Sequence, residues 1–175
     1  MQEYRLIKKV LSGDAKAQKA FYTQFASKMY SVCLRFARDR DEANDMLQEG
    51  FVKVFSNLKS FRQEGSLEGW VRRTIVNTAI NYYKKNAKHQ SYADFDTVMI
   101  FEKSTDASAI QQMSADELLE HISKLPDGYR AVFNLNVIEG YTHKEIGEKL
   151  NISENTSKSQ LARARAYLQK RIVRK

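Results

Sequence analysis

The chain has 175 residues, 42% hydrophobic and 29% charged, with a formal net charge of +8. That composition suits one folded domain or two small helical ones, and excludes a disordered tail. A lone cysteine, Cys33, excludes an internal disulfide or a cysteine metal cluster, and no apolar run reaches the ~20 residues that cross a bilayer, so a cytoplasmic location without membrane insertion is expected.

In chain order, residues 3–11 predict a short helix ended by Ser12-Gly13-Asp14. From Ala15 to about Arg38, the positions Phe21, Phe25, Met29, Val32 and Phe36 recur at threes and fours, the buried face of a long helix. Asp39 stands three residues before Glu42 and predicts a reciprocal cap for a third helix. Leu47, Phe51, Val54 or Phe55, and Leu58 form its apolar face, leaving Asp45, Gln48 and Glu49 largely elsewhere. Phe61 to Gly65 reads as a loop, and Ser66 caps a fourth helix running to about Lys85. Leu67, Trp70 or Val71, Thr74 or Ile75, Thr78 or Ala79, and Tyr82 turn inward. Arg73, Asn77, Asn81, Lys84 and Lys88 turn outward.

Residues 90–113 lose this periodicity and read as an acidic linker. Ser114 and Glu117 have the spacing of a capping box, opening a helix through Leu118, Leu119, Ile122 and Leu125. Pro126 suits the first turn of the next helix, which presents Val132, Phe133, Leu135 and Val137 or Ile138 and stops at Gly140. Thr142 and Glu145 form a second capping box for a short helix with Ile146 and Leu150 inward. Asn151-Ile152-Ser153 is a tight turn, and Ser153 caps a last helix to about Arg171. The expected fold is all-α, with two small helical domains, 1–92 and 114–175, joined by a flexible linker over 93–113. The second domain reads as a helix-turn-helix.

Charge follows this division. Residues 1–92 carry 17 basic and 9 acidic side chains, 93–120 carry 1 and 7, and 121–175 carry 11 and 5. Two basic blocks around an acidic middle favour a polyanion touched at two places, because every phosphate neutralised releases counterions. In a helix-turn-helix the second helix reads base edges from its N-terminal residues. Asn155, Ser157, Lys158 and Gln160 are therefore candidate base or phosphate contacts, with Arg163, Arg165 and Lys170 further along. In the first domain, Val71 to Ala93 contains Arg72, Arg73, Lys84, Lys85 and Lys88 and no acid. With Phe61 in the preceding loop, this helix suits contact with a duplex edge and an extruded base. Trp70 lies on the apolar face and is read as core.

An active site is not expected, nor a metal or cofactor. His89, His121 and His143 are far apart and none has metal-ligand spacing. Gly65-Ser66-Leu67-Glu68-Gly69 lacks the strand-turn-helix setting of a nucleophile elbow. The pairs Asp41/Asp45 and Asp45/Glu49 read as a solvated face or as a docking patch for a basic partner.

Several segments together resemble the extracytoplasmic-function group of the bacterial sigma-70 family, whose short members keep regions two and four. The first-domain segments are Asp41 to Phe55, Phe61-Arg62, Trp70-Val71-Arg72-Arg73 and Asn77 to Asn81. The second-domain segments are Leu125-Pro126, Glu139-Gly140-Tyr141-Thr142, Glu145-Ile146-Gly147, Ser153 to Thr156 and Leu161 to Arg165. The resemblance implies that Asp41, Asp45, Gln48 and Glu49 dock on the clamp helices of the largest core polymerase subunit. It implies that Phe61, Arg62, Gln63, Ser66, Arg73, Asn77, Asn81, Lys84 and Lys85 melt and hold the minus-ten element. Thr142, Ser153, Asn155, Thr156, Ser157, Lys158, Gln160, Arg163 and Arg165 would read the minus-thirty-five element, and the second domain would dock on the flap tip of the other large subunit. Implied partners are bacterial core RNA polymerase and promoter DNA; the sequence leaves open whether an anti-sigma factor sequesters the chain, since one would have to cover the docking or DNA faces and no residue announces it. The acidic linker would lie along a positively charged channel of the polymerase.

Asn81 stands where members usually have Asp, Tyr83 near positions often basic, Ser157 at a common aliphatic position and Gln160 at a common Arg. These departures bear on promoter sequence. The rival reading, a dimeric helix-turn-helix regulator that is no polymerase subunit, explains residues 142–171 equally well. It leaves the acid-free basic helix and the acidic helix of the first domain unexplained. A protein-only helical adaptor leaves both basic surfaces without use.

Overall fold

Every regular element among the described residues, 2–89 and 114–172 of a computed structural model, is helical. The linker expected at 93–113 and the side chain of Lys88 lie outside what is described. Packing divides the chain into two compact units, Met1–Ala79 and Ile80–Lys175, a boundary that falls inside the fourth helix.

The first unit is built on α1 (Gln2–Leu11), α2 (Ala15–Phe36), α3 (Arg40–Asn57), a 3-10 turn (Leu58–Ser60) and the start of α4 (Leu67–His89). The α2 stripe is buried along its length, with Cys33 beside it. The Phe21 ring sits 5.0 Å from that of Phe25 and 5.5 Å from that of Phe55. Each fully buried ring contributes about 1.5–3 kcal/mol of hydrophobic stabilisation. From α3, Met46, Leu47, Phe51 and Val54 close on this stripe, and from α4 Leu67, Val71, Ile75 and Ala79 are buried. α3 and α4 approach closely at Gly50, where an added Cβ would meet the Cδ1 of Ile75 and press that side chain aside.

Caps fix the ends. Asp14 accepts from the amides of Lys16 and Ala17 at 2.9 and 3.1 Å, Asp39 from Glu42 at 2.8 Å, and Ser66 from Gly69 at 3.0 Å. The expected return bond from Glu42 to Asp39 is displaced by one residue. Glu42 instead accepts from the Arg38 amide at 2.7 Å and from its guanidinium at 3.0 Å.

In the second unit, α5 (Ala115–Ser123), α6 (Asp127–Phe133), α7 (His143–Leu150) and α8 (Glu154–Ile172) follow in order. Both expected capping boxes form, Ser114 with Glu117 and Thr142 with Glu145. α8 lies against α5, α6 and α7, and turns Leu161, Ala164 and Leu168 into the core. After α6 the backbone widens into one π-helical turn, Asn134–Ile138, before Gly140 ends it at φ +77°. This register change leaves Leu135 fully buried and turns Val137 outward, 48% exposed, where an uninterrupted helix was expected.

Arg130 is also buried, a position the apolar pattern gave no reason to expect. Its guanidinium donates to the Asp127 carboxylate at 2.6 Å and to the carbonyls of Leu125 and Ser123 at 2.8 and 3.2 Å. It thereby satisfies acceptors left over at the end of α5.

Candidate nucleic-acid interface

Along α3, Asp41, Asp45, Gln48 and Glu49 are all exposed and recur at threes and fours, so they share one face. Asp41 and Asp45 enter no ion pair among the described residues. Glu49 is held by Lys53 at 2.5 Å. The same face carries Val52, 65% exposed, whose spacing of four from Gln48 is the signal that places an apolar side chain there.

The loop after the 3-10 turn has a defined shape. Gln63 at φ +59° and Gly65 at φ +96° both take left-handed backbone. For a residue with a Cβ that conformation costs about 1 kcal/mol, and such positions concentrate where a loop serves binding. Arg62, Gln63, Glu64 and Ser66 are exposed. Phe61 is half-buried, its ring 5.6 Å from that of Trp70 and tilted by 51°. Trp70 is itself half-buried, so it supports Phe61 from the edge of the core instead of filling the centre.

Past the loop, α4 presents Arg73, Asn77, Asn81 and Lys85 to solvent, with Lys84 half-buried. The hydroxyls of Thr74 and Thr78 are spent on the helix's own carbonyls at 3.1 and 3.0 Å. Cations and amides therefore dominate the outward side.

On α8, Ser153, Asn155, Lys158, Ser159, Ala162 and Arg165 are exposed. Thr156 and Arg163 are half-buried, and Thr142 is exposed at the start of α7 with its hydroxyl engaged by Glu145 at 2.8 Å. Ser153 caps the helix through the Thr156 amide at 2.9 Å. Two expected contacts take another place. Ser157 is fully buried, its Oγ 2.9 Å from His143 Nδ1, so it ties α8 to α7 and is closed to a duplex. Gln160 is half-buried with its amide against Gly128 of α6, and its Oε1 is buried without a hydrogen-bond partner. The repeat of Leu161, Ala164 and Leu168, continued back by four, falls on Ser157 and marks it as inward, a signal its polar side chain masks.

An acid also stands on the outward face. Glu154 lies 2.7 Å from Lys158. The hydrogen bond and charge of Lys158 hold its carboxyl below the usual carboxylate range, with His143 and Lys144 adding to the effect. The charge of Lys158 is thus partly neutralised within α8 itself.

Between α7 and α8 the geometry is tight. Asn151 takes left-handed backbone at φ +58° and ψ +46°, and the Ile152 amide donates to the Gly147 carbonyl at 3.1 Å. A Cβ on Gly147 would lie 2.8 Å from the Ile152 carbonyl oxygen. Among the described residues no cluster of three or more His, Cys, Asp or Glu could hold a metal ion, and no helix is long and apolar enough to cross a membrane.

In comparisons with known proteins, residues 21–89 match sigma-70 region 2 and residues 115–168 match sigma-70 region 4, together more than half the chain. The ECF RNA polymerase sigma factor SigM of Bacillus subtilis is 29% identical over 147 residues, covering 84% of this chain and 90% of SigM. The ECF RNA polymerase sigma-E factor of Haemophilus influenzae is 25% identical over 98% of this chain and 96% of its own. In fold, the chain is similar to the sigma factor RpoE of Bartonella quintana, solved in complex with the anti-sigma factor NepR, with a TM-score of 0.52 at 16% identity over 89% of this chain and 96% of that one.

Proposed function

Because the chain belongs to the sigma-70 family, as an extracytoplasmic-function sigma factor that directs RNA polymerase to promoters, we propose how its helices divide that work. Residues 1–92 act as region two, 93–113 as an acidic linker and 114–175 as region four. The α3 face of Asp41, Asp45, Gln48 and Glu49 docks on the clamp helices of the largest core subunit. Phe61, Arg62, Gln63 and Ser66, with Arg73, Asn77, Asn81, Lys84 and Lys85 of α4, open and hold the minus-ten element. The second unit acts as a helix-turn-helix and docks on the flap tip. Thr142, Ser153, Asn155, Thr156, Lys158, Arg163 and Arg165 serve the minus-thirty-five element, Ser157 positions α8, and Gln160 settles its register against α6. Catalysis belongs to the polymerase, the work takes place in the cytoplasm, and an anti-sigma factor able to cover these faces is the natural regulator.

One observation carries this reading: exposed charge is sorted by helix. Two acids on α3 stand unpaired among the described residues, while the outward sides of α4 and α8 are rich in cations and amides. An ordinary DNA-binding regulator needs the cationic faces and has no use for the anionic one. Reconstitution with bacterial core polymerase on a promoter library tests it, with opening and initiation scored on each template. The expected result is initiation from a subset of templates that core enzyme alone leaves closed; initiation no different from that of core enzyme alone would contradict it.

A further inference from the structure

α1 lies before the residues matched to region 2, and none of the contacts assigned above falls on it. Its outward side carries Arg5, Lys8 and Lys9, all exposed and in no ion pair among the described residues. Glu3 is the one acid on α1. Tyr4 is 51% exposed, its ring 5.8 Å from Lys8 Nζ. α1 packs against the 3-10 turn Leu58–Ser60, which carries exposed Lys59 and runs directly into the loop of Phe61 and Arg62. A cationic, aromatic-bearing strip thus borders the segment assigned to the opened minus-ten strand.

We propose that α1 and Lys59 form a further nucleic-acid site, which takes the phosphates of promoter DNA running on from the minus-ten loop, with Tyr4 as a stacking platform for one base. The proposal rests on the sigma-factor reading and extends its DNA track to an element outside the matched regions. Cations spaced along one exposed face beside an exposed aromatic ring suit a nucleic-acid backbone and an unstacked base. A solvated helix needs neither the exposed ring nor the nearly acid-free face.

The test uses the full chain assembled with core polymerase, and two templates, one fully duplex and one with the nontemplate minus-ten strand unpaired. Affinity is measured over a potassium chloride series for a Lys8→Gln/Lys9→Gln/Lys59→Gln variant. The log–log salt dependence should become shallower by about 2, and an Arg variant at the same three positions should restore it. Loss confined to the unpaired template assigns the phosphates to the single strand, and loss on both assigns them to the flanking duplex. Tyr4→Ala should weaken binding to the unpaired template about tenfold and leave the duplex unaffected. Unchanged salt dependence on both templates at normal core affinity, or no restoration by Arg, overturns the proposal and leaves α1 a solvated face. If the unaltered chain directs core enzyme to neither template, the sigma-factor reading itself fails, and this site with it.

Discussion

At Ser157 a hydroxyl stands fully buried, and its partner is His143 Nδ1 at 2.9 Å. A buried polar group without a partner costs about 1–3 kcal/mol, so the histidine is what makes a serine tolerable there. Spacing turns Ser157 inward, four residues before Leu161 on the stripe that continues through Ala164 and Leu168, but does not name its partner, which is 14 positions away on another helix. Glu154 shows the opposite case: local spacing makes its pairing with Lys158 legible, since i and i+4 share a face. Removing that acid should free a cation on the face of α8 proposed to meet DNA. Glu154→Gln is expected to raise duplex affinity about threefold and steepen the log–log salt dependence by about 0.9, measured by titration of the full chain with duplex. An affinity lowered by the change would argue that α8 meets DNA through another face. Because Lys158 depresses the Glu154 pKa, acidification should mimic this gain only below the usual glutamate range.

Cys33 offers a pH test of the first core. Burial pushes its thiol from 9.0 up to about 12. Folded chains therefore keep the proton over a range where unfolded ones lose it, and the native state loses stability as pH rises from 9 to about 12. Compared with Cys33→Ala, the unaltered chain should lose stability faster over that range in denaturant titrations, and iodoacetamide should label it only on unfolding. Rapid labelling of the folded chain at pH 8 would contradict this packing.

At the scale of elements, what the sequence reveals is what is local. The α2 stripe, the boxes Ser114/Glu117 and Thr142/Glu145, and the caps of Asp39 and Ser66 all depend on spacings of three and four, and the structure contains each of them. The π-helical turn at Asn134–Ile138 was not legible. Its register answers to the packing of Leu135 and to Asn136, whose amide reaches the Tyr141 carbonyl at 2.9 Å, and no periodicity records those contacts in advance. Arg130 stayed hidden for the same reason, although Asp127 three residues earlier was its one local sign. Within α7, Gly147 leaves no room for a side chain against the Ile152 carbonyl oxygen of the following turn, a backbone atom that cannot swing away as a side chain would. Gly147→Ala should thus lower stability by about 1–2 kcal/mol despite alanine's better helix propensity, and weaken duplex binding. Thermal unfolding checks it, and an unchanged or higher midpoint would show that the turn relaxes freely.

For the whole molecule, the all-α class and the order of the helices followed from periodicity and caps, whereas the packing boundary at Ala79/Ile80, inside α4, did not. A continuous amphipathic helix gives no local sign of where its packing partners change. The proposed division of labour rests on how charge is shared out among the helices, with cations and amides outward on α4 and α8 and, outward on α3, Asp41 and Asp45 in no ion pair among the described residues. The direct test of that division is a double charge reversal, Asp45→Lys/Glu49→Lys, in the full chain, with core polymerase affinity and duplex affinity measured side by side. Core affinity should fall by about thirtyfold or more, as when interfacial charges are set against their partner, while duplex affinity holds or rises. Undiminished core affinity, or a chain that ignores core enzyme and grips a palindromic operator as a symmetric dimer, would contradict it.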